Sequence, residues 1–311
     1  MSATPLFESS NLTISVVNGV LMNQREAAID EQLNWLFTAM QSGQTYTLEV
    51  NSNQTIPPYV FPQGFNNVTV ILRGSESVVR TLSLSTSGAM FTVTPGITLK
   101  LEHVTLQGRS GNNIALVIVE PDATLIMGDR SSVARNSNIG VSVLPEATMI
   151  MEAGSSIREN ANVYGLGGGV YLSGRLTVNG GIIASNRAAA GGGIHISEHG
   201  TLIFNGGELA MNTAIGTGVG GSVDIVANGT FDMTGGTISG SRADIGAGVF
   251  NRGLFRIMNG LIYGSNSQAD LRNIANTSGS SLQNSGSGSA FVGVFDQNGI
   301  FTSYGVYVGP Q

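Results

Sequence analysis

The chain of 311 residues has a net charge of −6, only 11% charged residues, 44 glycines and no cysteine. Its lysines and arginines are scattered, so no nucleic-acid partner is expected. The lack of cysteine excludes disulfides and thiolate metal sites. No run approaches the roughly 20 apolar residues of a transmembrane helix, so no transmembrane segment is expected. High glycine content with low charge is typical of many short strands joined by tight turns.

Residues 1–42 are predicted to contain a strand and the one convincing helix of the chain. The loose alternation of residues 11–17 favours a strand. The helix is predicted over about 24–41, with Asn23 as its N-cap and Glu26 completing a capping box. Gly43 then follows as the glycine that commonly ends a helix.

One face of this predicted helix is apolar. That face carries Ile29, Leu33, Leu36, Phe37 and Met40. The first coil of a stacked fold would otherwise expose apolar side chains and unpaired backbone groups, so we expect the helix to cap that end. Leu33 and Phe37 are predicted to pack onto the first coil.

A phrase that recurs at a near-constant interval predicts the fold of residues 43–275. Its best copies begin at Gly174, Gly200 and Gly229, and each ends in Gly-Gly. Equivalent strand starts recur about every 24 to 29 residues, a length that fits three short strands and three turns per coil. They are Gly43, Asn67, Gly96, Ala123, Ala147, Gly174, Gly200, Gly229 and Gly253. The sequence therefore predicts an all-β solenoid of about nine coils.

Alternating apolar residues are predicted to form the core of this solenoid. In the first strand of each coil they are Leu125, Met127, Met149, Met151, Leu176, Val178, Leu202, Phe204, Phe231 and Met233. In the strand that ends each coil they are Val141, Val143, Val170, Leu172, Ile194, Ile196, Val223, Ile225 and Val249. A third column, Asn136, Asn160, Asn186, Asn212 and then Ser241, is interpreted as a structural ladder at a coil corner.

The C-terminal part departs from the repeat. Residues 276–290 are of low complexity and are predicted to form a flexible linker. Residues 291–311 are predicted to form a β-hairpin that turns at Asn298 and Gly299. This hairpin would cap the far end of the stack or pair with a partner chain.

The repeat unit carries a family resemblance. An Asn, a Gly-Gly pair and an apolar strand succeed one another after Asn160, Asn186 and Asn212. This unit resembles the repeats of bacterial surface right-handed parallel β-helix proteins, including the polymorphic outer-membrane and adhesin-like groups. Residues 28–48 are similar to the opening coil of pectin-lyase-like β-helices. The resemblance implies a right-handed, single-stranded parallel β-helix at the cell surface or outside the cell, and it leaves the activity open.

A possible catalytic group lies at outward positions of the third strand. Tyr171, His195 and Asp224 are expected to stack at strand spacing, about 4.8 Å apart, with Ser142 and Phe250 on either side. A histidine oriented by a carboxylate beside a tyrosine could do acid–base chemistry. The favoured alternative is an exposed surface ladder with one ion-paired step. Neither a metal site nor a cofactor motif is found, so no metal and no cofactor is expected.

A second candidate surface lies at outward positions of the first strand. Ile126, Ile150, Thr177 and Ile203 form a largely aliphatic strip, followed by Asp232 and Arg256. Such a patch marks an interface, or a surface covered by a loop or by the C-terminal hairpin. A neighbouring column of Thr124, Thr148, Thr201 and Thr230 is broken by Arg175, which disfavours an ice-binding face.

The favoured function is a non-catalytic module of the cell surface or the secreted space, used for adhesion, binding or structure. Its expected partners are a glycan, a surface protein or a second copy of the chain. The alternative is a carbohydrate-active β-helix enzyme acting through Tyr171, His195 and Asp224. The N-terminus lacks the charged and apolar regions of a signal peptide, so either there is none or the sequence begins after it.

Overall fold

The computed structural model describes residues 5–9, 12–17, 20–23, 28–75, 77–264, 273–275, 282–284, 290–295 and 301–307, with side chains for 28–75, 77–264 and 273. Within these ranges the chain forms four β-sheets and one α-helix of 11 residues. No helix in the described ranges is long and apolar enough to cross a membrane.

The first sheet has 14 strands. They are Pro5–Ser9, Leu12–Val17, Val20–Asn23, Thr45–Val50, Val68–Gly74, Ile97–Glu102, Thr124–Met127, Thr148–Met151, Arg175–Val178, Thr201–Phe204, Thr230–Met233, Leu254–Ile257, Ala290–Phe295 and Phe301–Tyr307. Leu12–Val17 pairs antiparallel with both Pro5–Ser9 and Val20–Asn23, and Val20–Asn23 then pairs in parallel with Thr45–Val50. The pairings that follow are parallel as far as Ala290–Phe295.

The second and third sheets have nine parallel strands each. The second consists of Gln54–Ile56, Arg80–Leu84, Val104–Gln107, Ser132–Ala134, Ser156–Arg158, Ile182–Ala184, Glu208–Ala210, Thr237–Ser239 and Leu261–Ile262. The third consists of Tyr59–Val60, Phe91–Val93, Val117–Val119, Val141–Val143, Val170–Leu172, Ile194–Ile196, Val223–Ile225, Val249–Asn251 and Leu282–Asn284. Successive strands of each sheet come from successive coils, so the fold is a parallel β-solenoid of about eight turns. The predicted fold class is confirmed.

A fourth sheet, which the sequence did not predict, has five parallel strands. They are Ala161–Leu166, Arg187–Ala190, Thr213–Ala214, Arg242–Ala243 and Ile274–Ala275. Each lies between the corner asparagine or serine of its coil and the third-sheet strand of the same coil. The coils from Ala161 onward are longer at this corner than the coils before them, and the extra residues form the additional sheet.

The core contains the two predicted apolar columns and a further apolar column from the second sheet. That further column is Leu82, Leu106, Val133, Ile157, Ile183, Leu209, Ile238 and Ile262. Every residue predicted to point inward in the first and third sheets is at most 1% exposed. Phe204, Phe231 and Phe255 stack along the axis, with ring centroids 6.4 Å and then 4.7 Å apart. Each such side chain contributes about 1.5–3 kcal/mol on burial, so these columns are the main stabilising feature of the solenoid.

The helix is shorter than predicted and begins later. It runs over Ile29–Ala39, with Ala28 as an N-cap that makes no side-chain capping bond. The predicted cap, Asn23, instead ends the strand Val20–Asn23, because that segment joins the first sheet. Glu26 lies outside the described residues. The backbone N–H of Ile29, in the first turn, donates to Oε1 of Gln54 at 2.8 Å. A side chain from the first coil therefore satisfies this N–H in place of a capping box.

The helix packs against the first coil, as predicted. It contacts the strands Thr45–Val50 and Gln54–Ile56, and Leu33 is fully buried. The ring of Phe37 lies 5.2 Å from that of Phe61 and 5.9 Å from that of Tyr59. Gly43 does not end the helix, whose C-cap is Met40; its φ of +77° belongs to the turn that leads into the first coil.

The corner asparagines form a continuous buried ladder. Asn136, Asn160, Asn186 and Asn212 are at most 1% exposed. Each ladder asparagine after Asn136 accepts, through its Oδ1, the backbone N–H of the ladder asparagine of the preceding coil. The distance is 3.0 Å at Asn160, Asn186 and Asn212. The ladder extends further than predicted, to Asn112 and Asn273. Asn112 donates to Asn136 Oδ1 at 2.9 Å, and Asn273 Oδ1 accepts from the N–H of Ser241 at 2.9 Å.

The C-terminal strands continue two of the sheets. In the segment predicted to be a linker, Leu282–Asn284 adds a strand to the third sheet beside Val249–Asn251. Ala290–Phe295 pairs with Leu254–Ile257, and Phe301–Tyr307 pairs antiparallel with it as a hairpin. The predicted turn at Asn298 and Gly299 lies outside the described residues.

Candidate functional site

The third sheet brings together the residues of the candidate catalytic group. Tyr171, His195 and Asp224 are direct cross-strand neighbours on three successive coils. The Nδ1 of His195 lies 2.9 Å from Oδ2 of Asp224. The Tyr171 ring stacks on the imidazole, with centroids 5.3 Å apart and 22° between the planes.

Sequence reasoning missed Arg252, which completes this cluster. Its Nη2 donates to both oxygens of Asp224, at 2.9 and 3.1 Å, and its guanidinium lies 5.2 Å from the centre of the Phe250 ring. Strand alternation could have found Arg252, because it lies two positions after the outward Phe250 and so points to the same face of the sheet. The Asp224 carboxylate is therefore shared between a histidine and an arginine.

Two members of the cluster, His195 and Asp224, are buried, contrary to the expectation of an exposed surface ladder. The side chain of His195 is 4% exposed and that of Asp224 is 0% exposed, whereas that of Arg252 is 41% exposed. The cause is the glycine turn between the fourth and third sheets, which doubles the chain back over the strand. A Cβ on Gly191 would lie only 2.8 Å from the Cα of His195, and one on Gly220 only 2.7 Å from the N of Asp224.

This arrangement restricts the chemistry that the cluster can perform. Both oxygens of Asp224 are engaged, so the carboxylate acts as an acceptor for its neighbours. His195 has one ring nitrogen committed to Asp224 and one ring face against Tyr171. Proton transfer to a reactant would have to pass through its Nε2. In the ranges 28–75 and 77–264, no three His, Asp or Glu side chains lie together so that they could hold a metal ion.

His199 is separate from this cluster. It occupies a turn with a φ of +64°, and its side chain is 79% exposed. Its nearest ionic neighbour is Glu198, with Nε2 and Oε1 3.7 Å apart.

The aliphatic strip lies on the outer face of the first sheet. Ile126, Ile150, Thr177 and Ile203 are in direct register on four successive strands, and each is half-buried. The backbone of the C-terminal hairpin extends this sheet at its edge, beside Leu254–Ile257. The two described strands of the hairpin therefore do not cover the strip.

The threonine column beside the strip is longer than the sequence indicated. Cross-strand register aligns Thr45, Thr69, Thr98, Thr124, Thr148, Arg175, Thr201 and Thr230. No hydroxyl in this column is hydrogen-bonded to another described residue. Stacked hydroxyls elsewhere bond to each other, such as Ser197 to Ser173 at 2.7 Å. The outer face of the first sheet therefore keeps its hydroxyl groups available.

Ion pairs lie at both ends of the strip. On the N-terminal side, Glu102 accepts from Lys100 at 2.6 Å and from Arg73 at 2.8 Å. On the C-terminal side, Arg256 donates to Asp232 at 2.5 Å. The strip between them is uncharged, and Arg175 of the neighbouring column is exposed.

The pKa of Glu102 gives a testable pH dependence. Burial alone would raise this pKa, but the hydrogen bonds from Lys100 and Arg73 outweigh burial and hold it below its ordinary range. Because the folded-state pKa is lowered, the stabilisation is present above the unfolded-state pKa and is lost as the pH falls through the folded one. We expect the free energy of unfolding to fall less between neutral and acidic pH in Glu102→Gln than in the wild type, by up to about 1 kcal/mol. Urea denaturation at a series of pH values measures this difference. The same loss of unfolding free energy in the variant and the wild type would contradict the lowered pKa of Glu102.

The chain forms a parallel β-solenoid with two candidate functional features. One is the cluster of Tyr171, His195, Asp224 and Arg252, in which His195 and Asp224 are buried. The other is the uncharged strip with its threonine column. No protein-family model, no curated protein and no solved structure matches this chain.

Proposed function

We propose that this chain is a non-catalytic binding or structural module of the cell surface or the secreted space, and that it works through the strip Ile126–Ile150–Thr177–Ile203. The resemblance of its repeat unit to adhesin-like and pectin-lyase-like bacterial β-helices supports this location. The observation that carries the proposal is the contrast between the two candidate surfaces. The His195–Asp224 pair is buried and engaged, whereas the strip is half-buried on an open sheet face.

Physical reasoning favours the strip as the working surface. A solvated face is expected to be polar, and an uncharged aliphatic row on successive strands marks a contact site. The solenoid holds these side chains at a fixed spacing of about 4.8 Å, so little conformational entropy is lost when a partner binds. The face fits a flat glycan or protein surface.

A matched pair of lysine substitutions tests the proposal. Ile150→Lys charges the strip, and Ile182→Lys makes the same change at an outward position of the second sheet, where the isoleucine is 44% exposed. Each new lysine has a glutamate close by, Glu152 two positions on and Glu208 on the next strand, so both variants should fold. We expect Ile150→Lys to lower adhesion to cultured cells and to an oligosaccharide array at least about tenfold, with Ile182→Lys unchanged.

Other outcomes would contradict the proposal. Equal loss of binding in both variants would show a general effect of added charge. Lower thermal stability of Ile150→Lys with unchanged binding would show that the strip is part of the packing of the chain.

A carbohydrate-active enzyme is the second candidate, favoured by the 2.9 Å contact between His195 and Asp224 and the stacked Tyr171. Because His195 is buried, truncation to alanine would also disturb packing, so His195→Gln is the better probe. If the enzyme assignment is correct, this variant abolishes the release of new sugar ends from acidic polysaccharides. The binding-module proposal expects no release from either protein.

A further inference from the structure

Four Asn-Gly dipeptides lie at turns of the solenoid within the ranges 28–75 and 77–264. They begin at Asn179, Asn205, Asn228 and Asn259, and each of these asparagines is exposed. Glycine has no side chain to shield its backbone nitrogen, so in such a pair that nitrogen can approach and attack the side-chain amide of the asparagine. Because the dipeptide and the exposure are the same at all four turns, the contacts of each turn decide which one reacts.

Two of these asparagines belong to an exposed ladder. Nδ2 of Asn205 donates to Oδ1 of Asn179 at 3.0 Å. Asn179 in turn donates to Glu152 at 3.1 Å, and Asn205 accepts from Thr234 at 2.8 Å. The N–H of Gly206 also donates to a backbone carbonyl of the preceding coil at 3.2 Å. Both ends of each side-chain amide are therefore engaged by neighbouring coils rather than by the following glycine.

Asn228 is held in a different way. Its Nδ2 donates to Oε1 of Glu198 at 3.1 Å. The backbone N–H of Gly229 donates to the carbonyl of Val226 at 3.0 Å. At this turn the side chain and the nitrogen that would attack it are both engaged with other groups.

Asn259 stands outside the ladder because its turn is shifted by one residue. In this coil the ladder position is held by Met258, and Asn259 takes the place of the first glycine of the Gly-Gly pairs in the coils before it. Its Oδ1 accepts the backbone N–H of its own neighbour, Gly260, at 2.8 Å. The nitrogen and the side-chain carbonyl that must react are therefore already in contact.

The fold requires glycine at position 260. Gly260 has a φ of +115°, which favours glycine, and an added Cβ would lie 2.5 Å from Cε of Met233. The same local hydrogen bond occurs at Asn138, whose Oδ1 accepts the N–H of Ile139 at 2.8 Å. There a β-branched side chain stands beside the nitrogen and shields it. Only at Asn259 do the hydrogen bond and the glycine coincide among the residues with described side chains.

We propose that Asn259 is a site of spontaneous deamidation, in which the backbone nitrogen of Gly260 attacks the side-chain amide. The Gly260 nitrogen bonds to Cγ of Asn259, the Cγ–Nδ2 bond breaks, and Nδ2 leaves as ammonia with the proton that Gly260 gives up through solvent. Water then opens the resulting cyclic imide. Opening at Cγ gives aspartate, and opening at the backbone carbonyl gives isoaspartate, whose main chain runs through Cγ. The reaction needs no partner and is independent of the strip.

Either product changes the turn between the first and second sheets. Both products add a negative charge to a chain whose net charge is already −6. Isoaspartate also lengthens the main chain by one carbon just before Leu261–Ile262, the edge strand of the second sheet. That strand pairs only with Thr237–Ser239, so a longer connection weakens its attachment. The modification therefore loosens this edge of the solenoid while the turns held by the ladder stay intact.

Peptide mapping by mass spectrometry, after incubation of the folded chain at mildly alkaline pH, tests the selection of Asn259. The same chain incubated in guanidinium chloride is the control, because unfolding removes every contact and leaves only the dipeptides. In the folded chain we expect Asn259 to react at least about tenfold faster than Asn179, Asn205 or Asn228. In the unfolded chain the four rates should lie within about threefold of one another.

The double variant E152A/N205A tests the protection by the ladder. It removes the acceptor and the donor that hold the side chain of Asn179, and it touches nothing at Asn259. The rate at Asn179 should rise at least about fivefold and the rate at Asn259 should stay the same. Thermal unfolding of the variant checks that it remains folded during the incubation.

Hydrogen exchange tests the consequence for the edge strand. The N–H of Leu261 donates to the carbonyl of Gly236 at 3.0 Å. This N–H should exchange faster in the isoaspartate form than in the freshly purified chain, and Asn259→Asp, which adds the charge without the extra carbon, should leave its exchange unchanged.

Three results would overturn the proposal. Asn259 reacting no faster than the other Asn-Gly pairs of the folded chain would show that its contacts do not select it. Asn138 reacting as fast as Asn259 would remove the role of the glycine. An unaltered slow rate at Asn179 in E152A/N205A would show that the ladder does not protect its members.

Discussion

Replacing Asn186 with alanine should lower the free energy of unfolding by about 3–5 kcal/mol, because the change leaves several buried polar groups without partners. Asn186 is 0% exposed. Its Oδ1 accepts the backbone N–H and the side-chain amide of Asn160, both at 3.0 Å. Its Nδ2 donates to the carbonyl of Ile157 at 2.9 Å. Alanine removes all of these bonds, and no water can replace them at a buried corner without opening the stack.

Asn205→Ala is the matched control for this prediction. Asn205 also belongs to a stacked side-chain ladder, donating to Asn179 Oδ1 at 3.0 Å and accepting from Thr234 at 2.8 Å. It is exposed, so water replaces the lost bonds and the cost should stay below about 1 kcal/mol. Urea denaturation of the two variants measures the difference. Equal losses would mean that burial does not set the cost of breaking a ladder.

The repeat made much of this fold predictable. Strand period and coil period act on the same residues, so the buried apolar positions of the five first-sheet strands from Thr124 to Met233 were assigned correctly from their neighbours one coil away. The ladder residue Asn112 was also accessible, because it precedes Asn136 by 24 residues, as Asn136 precedes Asn160. Asn273 follows Ser241 by 32 residues, and that longer interval hid it from a period-based assignment.

The parts that sequence reasoning got wrong depend on contacts between segments. The start of the helix was misplaced because Val20–Asn23 pairs with Thr45–Val50, and tertiary pairing overrode a local capping signal. The burial of His195 was missed because alternation gives the direction of a side chain relative to its own sheet. It does not show whether another segment covers the outer side of the sheet. To predict that cover, the glycine clusters would have to be interpreted as turns that reverse the chain over the third-sheet strands.

The glycine turn over His195 gives the second large effect. Gly191→Ala should destabilise the protein by about 3–4 kcal/mol, from left-handed strain together with a steric clash. Gly191 has a φ of +60°, and an added Cβ would lie 2.5 Å from the carbonyl oxygen of Ile194. Neither position can move freely, since the backbone N–H of Gly191 donates to the carbonyl of Val219 on the next coil and Ile194 begins a third-sheet strand.

Gly216→Ala separates the two contributions. Gly216 has nearly the same backbone conformation, with a φ of +66°, but its added Cβ would meet nothing within 4 Å. It should therefore cost only the left-handed strain, about 1 kcal/mol. The chain has three histidines, so the imidazole signals in an NMR spectrum can be followed individually. Gly191→Ala should shift the His195 signal and Gly216→Ala should not. Equal destabilisation by the two substitutions, with an unmoved His195 signal, would mean that the turn does not lie against the third sheet as described.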